Sequence, residues 1–181
     1  MSEWRVDFAG ELNMVRSFLE ERGYRSAVIG GVALAAYGHP RLTLDLDFVT
    51  DAAAQDPLVA LMEAQGFATL HRAPGYSNHR HPLSSHGRVD FMYVRGDTAD
   101  RVFADVRHLA GPGRESIAVP RPEHLVAMKV RAMIDAPDRT WQDLADISYL
   151  IRLDGVNLGE VRGYFARAGL EEKWRELERG L

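Results

Sequence analysis

A strand-type alternation that follows a glycine pair constrains the fold of this chain more than any other feature. From residue 42 to residue 49, leucine or phenylalanine occupies every second position, as a strand with one apolar face requires. Asp45 and Asp47 therefore point to the same side, with Cα atoms about 6.7 Å apart. Two like charges so placed repel each other unless a cation lies between them, which favours a divalent-ion site. A solvated outer face of a sheet is the alternative.

Hydrophobic periodicity predicts an N-terminal part of mixed strands and helices, followed by a C-terminal part of helices only. We place the α/β core at residues 1–120 and the helical part at residues 121–181, with the boundary near Pro120. The polar segment 72–82, rich in histidine and arginine, is predicted as a loop. The predicted strands are 26–29, 42–49, 67–71, 88–94 and 117–119. The predicted helices are 8–22, 32–37, 56–66, 97–108, one that begins at residue 122, 141–153, 158–167 and 171–179.

Composition narrows the class of protein. The 181 residues suit one large domain or two small ones, and the formal net charge of -4 argues against a generic nucleic-acid coat while leaving room for a local basic groove. The chain has no cysteine, which excludes disulfides and zinc–thiolate sites. Its first residues lack the pattern of a signal peptide, and no run approaches the roughly 20 apolar residues of a membrane span. These features predict a cytoplasmic protein with no membrane contact.

A third acid completes a candidate catalytic set. Asp90 is the single acid in the otherwise apolar strand predicted at 88–94. An edge strand that faces water would also carry such a residue, but a neighbouring strand would bring Asp90 beside Asp45 and Asp47. Three carboxylates can hold two metal ions about 3.5–4 Å apart, the arrangement that activates an attacking oxygen and stabilises a phosphoryl leaving group. The turn at Gly30 and Gly31 lets backbone N–H groups approach a phosphate closely, and the start of the following helix favours its negative charge.

These motifs resemble the minimal signature of the polymerase-beta-type nucleotidyltransferase superfamily. That signature is an apolar strand ending in Gly-Gly, a short helix, Asp-x-Asp on a strand, and a third Asp on a later strand. Further details resemble the AbiEii-type toxin nucleotidyltransferases, in which Arg-x-Thr commonly precedes Asp-x-Asp and a helical Lys is followed by a Lys-Asp-x-x-Asp helix. The matching segments here are Val28-Ile29-Gly30-Gly31, Arg41-Leu42-Thr43, Asp45-Leu46-Asp47, Val89-Asp90-Phe91, Lys129 and Gln142-Asp143-Leu144-Ala145-Asp146. Gln142 stands where the family usually has Lys.

The resemblance implies an α+β fold, in which a nucleotidyltransferase-type mixed β-sheet flanked by helices is followed by a helical C-terminal part. It also implies a metal-dependent transfer of a nucleoside monophosphate from an NTP to an acceptor, with release of pyrophosphate. Asp45, Asp47 and Asp90 would be the catalytic residues and would hold Mg²⁺ or Mn²⁺, and Asp90 would help to activate the acceptor hydroxyl. The implied nucleotide-binding residues are Gly30, Gly31, Arg41, Thr43, Lys129, Asp143 and Asp146. An exposed lysine, and an acid favoured by a helix N-terminus, are the alternative interpretations of Lys129 and Asp143.

The acceptor and the biological role stay open at the level of the sequence. RNA, such as tRNA, or a protein is one acceptor class, and a cognate antitoxin is an expected partner. A solvated loop with incidental charge is the favoured interpretation of a set of basic and aromatic residues, and a groove for RNA is the other. The set consists of His71, Arg72, Tyr76, His79, Arg80, His81, Arg88 and Arg95. A small polycation such as an aminoglycoside is a second acceptor class, and surplus acids around the site are compatible with it. A non-catalytic antitoxin or binding relative is a third possibility, disfavoured because all three acids are present.

Overall fold

The structure, a computed structural model, describes residues 8–40, 42–83, 85–113 and 115–180, except for the side chain of Arg139. Arg41, predicted to bind the nucleotide, lies outside the described residues. The chain divides into two compact units, residues 1–120 and residues 121–181.

The described residues of the first unit form a five-stranded mixed sheet, a separate two-stranded hairpin and four α-helices. The sheet has the order β1-β2-β5-β4-β3, and only its β2–β5 pair is parallel. The predicted fold class is confirmed by this mixed sheet with its flanking helices. The elements are α1 (Phe8–Glu21), β1 (Ser26–Ile29), α2 (Gly30–Ala36), β2 (Asp45–Asp51), α3 (Gln55–Ala64), β3 (Ala68–Ala73), β4 (Tyr76–Arg80), β5 (Arg88–Val94), α4 (Gly96–Ala104), β6 (Arg107–Ala110) and β7 (Ser116–Val119).

The central strands β2 and β5 give the sheet one apolar face and one polar face. Phe48 and Phe91 are Cα partners across the two strands, and their rings stack with centroids 5.7 Å apart. Both side chains are fully buried, as are Leu46 and Val89 on the same face. Because strand residues alternate between faces, burial of this set turns the acids of both strands toward the other face. The apolar core thus fixes the direction in which the candidate catalytic side chains point.

The segment 72–82, predicted as a loop, instead contains strand β4. Its alternation is hidden because both of its faces are polar: Ser77 and His79 are completely buried, and exposed or half-buried polar residues lie between and beside them. Ser77 Oγ lies 2.8 Å from His79 Nε2 and 2.7 Å from the hydroxyl of Tyr93 on β5. Hydrogen bonds of this kind remove the cost of burying polar groups, so a strand forms without apolar residues.

Two predicted boundaries are also corrected. The strand that carries Asp45 begins at that residue rather than at position 42, since its described pairing with β5 starts there. Leu42 and Leu44 are 87% and 59% exposed, so their alternation does not mark a buried face. The helix predicted over 97–108 ends at Ala104, and β6 follows it.

The second unit is helical over its described residues. It contains α5 (Pro122–Asp135), a 3₁₀ turn at Pro137–Arg139, α6 (Thr140–Leu150), α7 (Leu158–Arg167) and α8 (Glu171–Glu178). Pro122 occupies the first turn of α5, where its missing N–H costs nothing. The Asn157 side chain accepts from the backbone N–H of Glu160 and caps α7. No described helix combines the length and the apolar character needed to cross a membrane.

Candidate active site

Two neighbouring strands bring the three predicted acids onto one polar patch. In the parallel register of β2 and β5, Asp45 is the Cα partner of Arg88, and Asp47 is the Cα partner of Asp90. Paired strands lie about 4.8 Å apart, so the four side chains occupy the corners of a small quadrilateral. All four are half-buried and lie on the face opposite the phenylalanine stack. We call these residues the acidic patch.

Within the acidic patch, Arg88 donates two hydrogen bonds to the Asp90 carboxylate. Arg88 Nε donates to Asp90 Oδ1 and an Arg88 terminal nitrogen donates to Asp90 Oδ2, both at 2.8 Å. Burial raises the pKa of Asp90, and the contact with Arg88 opposes that rise. A hydrogen bond from Asn78, the Cα partner of Asp90 on β4, opposes it as well. The pKa of Arg88 is raised by its bond to Asp90 and further by the charges of Asp45 and Asp47. The carboxylates of both strands therefore share one electrostatic environment.

The glycine turn lies directly against Asp47. Gly30 has a φ of +64°, a conformation that side chains with a Cβ rarely adopt, and the preceding residue, Ile29, pairs with Asp47 across β1 and β2. A Cβ at Gly30 would overlap the Asp47 carboxylate, and a Cβ at Gly31 would come within 2.7 Å of the Thr43 side chain. Glycine at both positions is thus what permits this close approach of the turn to β2.

Thr43 links the residues that precede β2 to the glycine turn. The Thr43 hydroxyl donates to the carbonyl of Asp45 at 3.1 Å, and the N–H of Asp45 donates to Thr43 Oγ1 at 3.4 Å. The Thr43 side chain also lies beside Gly31. The structure therefore brings together five of the predicted site residues besides Asp90: Gly30, Gly31, Thr43, Asp45 and Asp47.

Three further predicted nucleotide-binding residues lie in the second unit and contact one another. Lys129 on α5 donates to Asp143 Oδ1 at 3.1 Å and to Asp146 Oδ2 at 2.6 Å. The two acids, one turn apart on α6, are only 4% and 2% exposed. The lysine is therefore not on the exposed side of its helix, and its single positive charge is shared by two buried carboxylates.

This buried ion triad leads to a stability prediction. Lys129→Met is expected to lower the free energy of unfolding by about 3–5 kcal/mol, because two buried carboxylates lose their counter-charge. Lys129→Arg keeps the charge and is expected to cost much less. Lys173→Met serves as the control: Lys173 forms a surface pair with Glu176, and such pairs contribute about 0–1 kcal/mol. Urea unfolding followed by circular dichroism measures all three. Equal losses for Lys129→Met and Lys173→Met would contradict the buried triad.

The acidic patch fits a hard divalent ion in its chemistry. It offers only carboxylate oxygens, the ligands that Mg²⁺ prefers, on two adjacent strands. With the side chains as they lie, no group of three or more His, Asp or Glu residues within the described part of the chain is arranged to hold a metal ion. Both oxygens of Asp90 are engaged by Arg88 instead.

The residues of the predicted basic groove divide between the two faces of the sheet. His79 is completely buried on the apolar side, so its predicted place in a groove for RNA is wrong. On the other face, Tyr76 and Arg80 of β4 are the Cα partners of Met92 and Arg88 on β5. The His71 ring stacks on Tyr76 at 4.7 Å, with planes within 7° of parallel. An exposed stacked pair thus lies on the same face as Asp90.

Sequence reasoning missed the roles of Arg88 and Asn78 at this site. Arg88 precedes Asp90 by two residues on a strand, and this spacing alone places both side chains on one face. Asn78 gave no signal because the strand that carries it was predicted as a loop.

Comparisons with known proteins identify the family and the fold. A family model described as nucleotidyl transferase AbiEii toxin, type IV toxin–antitoxin system, matches residues 15–179. No curated protein matches the sequence at a significant level. Among solved structures, the antibiotic-resistance factor ANT(2'')-Ia in solution aligns over 95% of this chain and 97% of its own, with a TM-score of 0.63 and 15% identity. The lincomycin-bound lincosamide antibiotic adenylyltransferase LnuA aligns over 82% and 98%, with a TM-score of 0.58 and 16% identity.

At these identities the solved structures show a shared fold, whereas the family model covers nearly the whole chain and both units. The chain therefore belongs to the AbiEii family of nucleotidyl transferases and is a nucleotidyltransferase.

Proposed function

We propose that this protein transfers a nucleoside monophosphate from an NTP to an acceptor hydroxyl at the acidic patch. The acceptor hydroxyl loses its proton to a carboxylate of the patch and its oxygen forms a bond to the α-phosphorus. The bond from that phosphorus to the bridging oxygen breaks, and pyrophosphate leaves. The observation that carries the proposal is the contact between the Gly30 turn and Asp47, whose Cα partner is Asp90. A triphosphate bound along the turn would have its reacting phosphorus beside the carboxylates of both strands.

Each residue of the patch has a place in this proposal. Asp45 and Asp47 would hold Mg²⁺ or Mn²⁺ with Asp90, and the ion would neutralise phosphate charge and activate the attacking oxygen. Gly30 and Gly31 would let backbone N–H groups approach the phosphates. Thr43 would hold Asp45 in place through the two hydrogen bonds described above.

The roles of Arg41 and of the second-unit residues follow from the family motifs that they match. We propose that Arg41, Lys129, Asp143 and Asp146 contribute to nucleotide binding. The two carboxylates hold the Lys129 ammonium in one orientation, which reduces the entropy lost when a lysine contacts a phosphate.

Transfer of a radioactive α-phosphate tests the reaction. The protein is incubated with each α-³²P-labelled NTP, Mg²⁺ and either total RNA or cell lysate, with excess EDTA in a parallel sample. We expect label on an acceptor with at least one NTP and none with EDTA. Transfer that persists in EDTA would contradict the proposal, as would the absence of both transfer and NTP binding by calorimetry in Mg²⁺.

The polar face beside Asp90 supports RNA as the acceptor. The stacked His71–Tyr76 pair offers an aromatic surface, and Arg80 adds positive charge on the same face. Stacking of a base on an aromatic side chain contributes about 1–3 kcal/mol, and arginine attracts the phosphate backbone. A polycationic aminoglycoside gains nothing from arginine on this face, although the patch acids themselves would attract it.

The contribution of Tyr76 to acceptor binding is a separate prediction. Tyr76→Ala is expected to raise the KM for RNA about 5- to 150-fold, since about 1–3 kcal/mol of stacking is lost. The KM for NTP should stay constant. Trp141→Ala, which removes an even more exposed aromatic ring from the second unit, is the control and should leave both constants unchanged. An unchanged KM for RNA in Tyr76→Ala, or efficient transfer to an aminoglycoside alone, would favour the small-molecule alternative.

The family model names a toxin, and we infer that transfer in the cytoplasm, where NTPs and RNA are available, restricts growth unless a cognate antitoxin is present. Induced expression in a bacterial host tests this inference. Growth arrest by the wild type, relieved by Asp47→Asn, would support it. Arrest that is equal for the two proteins would show that transfer is not the cause.

A further inference from the structure

A chain of hydrogen bonds runs through the buried side of the β3–β4 hairpin, on the face opposite the acidic patch. His79 Nδ1 lies 3.2 Å from Thr69 Oγ1 on β3, and His79 Nε2 lies 2.8 Å from Ser77 Oγ. The Thr69 hydroxyl donates onward to a Glu63 carboxylate oxygen of α3 at 2.8 Å. At the other end, Ser77 Oγ lies 2.7 Å from the Tyr93 hydroxyl of β5. Three strands and one helix are thereby joined through the ring of a single histidine.

The partners determine the direction of each hydrogen bond in this chain. A carboxylate only accepts, so Thr69 donates its one hydroxyl hydrogen to Glu63 and must accept from His79 Nδ1. Burial lowers the pKa of His79, so the ring is neutral at neutral pH and its Nε2 accepts from the Ser77 hydroxyl. Ser77 Oγ in turn accepts from the Tyr93 hydroxyl. The order of donors and acceptors therefore requires the neutral Nδ1–H tautomer of His79.

A proton added to the His79 ring has no place in this arrangement. Protonation turns Nε2 into a donor, and Ser77 would then have to donate to the Tyr93 oxygen. The Tyr93 hydroxyl hydrogen would lose the acceptor that it has in Ser77. The ring is also completely buried and meets the Phe91 ring edge-on, so the new positive charge would lose its hydration. The closed hairpin thus disfavours the protonated ring for two separate reasons.

The titratable and charged groups that face the chain do not reverse this preference. From α3, the charge of the exposed Glu63 raises the pKa of His79, but burial of the ring outweighs it. From β5, Tyr93 is uncharged, because burial raises its pKa to about 12. Arg72 of β3 and Asp56 of α3 bind each other, and their charges act on Tyr93 with opposite signs. Burial therefore decides the charge of the histidine ring.

We propose that this chain is a pH-sensitive latch, which holds the β3–β4 hairpin on β5 and α3 while the His79 ring is neutral and releases it in acid. In the open hairpin the ring meets water and has the ordinary pKa of about 6.5. Protons therefore bind the open form preferentially, and the stability of the closed form, complete above about pH 6.5, falls as the pH falls below it. The opposite face of the hairpin carries the stacked His71–Tyr76 pair. Each opening also displaces this acceptor surface, a consequence that rests on the proposed function.

Nuclear magnetic resonance of the wild type tests the state of the ring directly. A long-range ¹H–¹⁵N correlation spectrum of the imidazole rings distinguishes the two neutral tautomers from each other and from the protonated form. We expect His79, assigned through its side-chain connectivities, to be the neutral Nδ1–H tautomer at about pH 7.5. The Nε2–H tautomer, or a protonated ring at that pH, would overturn the proposal.

Hydrogen–deuterium exchange, corrected for the intrinsic effect of pH, tests the latch without any turnover. Between about pH 7.5 and about pH 5.5, the opening constant of β3 and β4 should rise about tenfold in the wild type, because a group with a pKa of about 6.5 becomes protonated in the open form. His79→Gln keeps a donor and an acceptor but takes up no proton in this range, so its rise should be much smaller. His108→Gln removes an exposed histidine of β6 and should behave as the wild type.

The exchange results are independent of the proposed function. Equal rises in the wild type and His79→Gln, or no rise in the wild type, would overturn the latch. A rise of the same size in β1 would also overturn it, since the whole sheet rather than the hairpin would open. If circular dichroism shows that His79→Gln is unfolded, the tautomer and the comparison of β4 with β1 in the wild type still decide. If transfer assays fail while exchange is as expected, the latch stands and only its consequence for the acceptor falls.

Discussion

Asp47→Asn is expected to reduce nucleotidyl transfer by at least about 10²–10³-fold, the loss typical of removing one preorganised electrostatic partner of a transition state. Asp47 is the residue that touches the Gly30 turn and faces Asp90, so its charge acts where the phosphate and the carboxylates meet. Asparagine has nearly the same shape and fits the same space, and the fold should therefore be retained. Single-turnover transfer of a labelled α-phosphate, with protein in excess, measures the loss.

Asp51 provides the matched control for Asp47. It lies on the same side of β2, four residues further on, but its carboxylate binds Arg25, with the shortest contact at 2.7 Å. Asp51→Asn is expected to lower the melting temperature while the rate per folded molecule stays near that of the wild type. If Asp47→Asn and Asp51→Asn lost transfer activity equally, the loss would reflect a general effect of charge or stability, and a catalytic role for Asp47 would be contradicted.

Gly30→Ala is expected to remove most activity and to destabilise the first unit. Two costs combine: the left-handed backbone conformation costs a residue with a Cβ about 1–2 kcal/mol, and the new methyl group overlaps the Asp47 carboxylate. Displacing a reacting group by about 1 Å can cost about 10²-fold in rate, so Asp47 need not move far for transfer to fail. Transfer assays and urea unfolding measure the two effects separately.

Gly23→Ala isolates the cost of the backbone conformation. Gly23 has a φ of +71°, close to the +64° of Gly30, but a Cβ at Gly23 would meet no atom within 4 Å. This variant should lose about 1–2 kcal/mol of stability and no activity per folded molecule. The same behaviour in Gly30→Ala would mean that the contact between the turn and Asp47 is unimportant for transfer.

The sequence predicted those parts of the site whose alternation is set by burial. Strands β2 and β5 bury phenylalanine and aliphatic residues at every second position, and that pattern fixes the side on which Asp47 and Asp90 lie. Strand β4 could not be predicted in this way, because Ser77 and His79 are buried through hydrogen bonds to each other and, for Ser77, to Tyr93 on β5. Asn78, which contacts Asp90, was therefore missed along with its strand.

The pairings of charged residues were also beyond reach of the sequence. Whether Lys129 is exposed or buried depends on how α6 packs against α5, and single-sequence periodicity does not contain that information. The spacing of Arg88 and Asp90 places both side chains on one face of β5. The hydrogen bonds between them, however, depend on side-chain rotamers, which the sequence does not reveal. The start of β2 at Asp45 depends on where β5 begins, which is a property of the partner strand.

The parallel pairing of β2 with β5 has a consequence for how proteins of this design can diversify. A parallel pair needs a long crossover, and here that crossover consists of α3, β3 and β4, the last two of which also carry the His71–Tyr76 surface. In a tight hairpin, a change in the length of the connection would shift the register of the strands it joins. In this arrangement the crossover can gain, lose or exchange residues while hydrogen bonds between β2 and β5 keep the carboxylates opposite each other. Changes confined to this crossover can thereby alter the surface that faces an acceptor without disturbing the carboxylates.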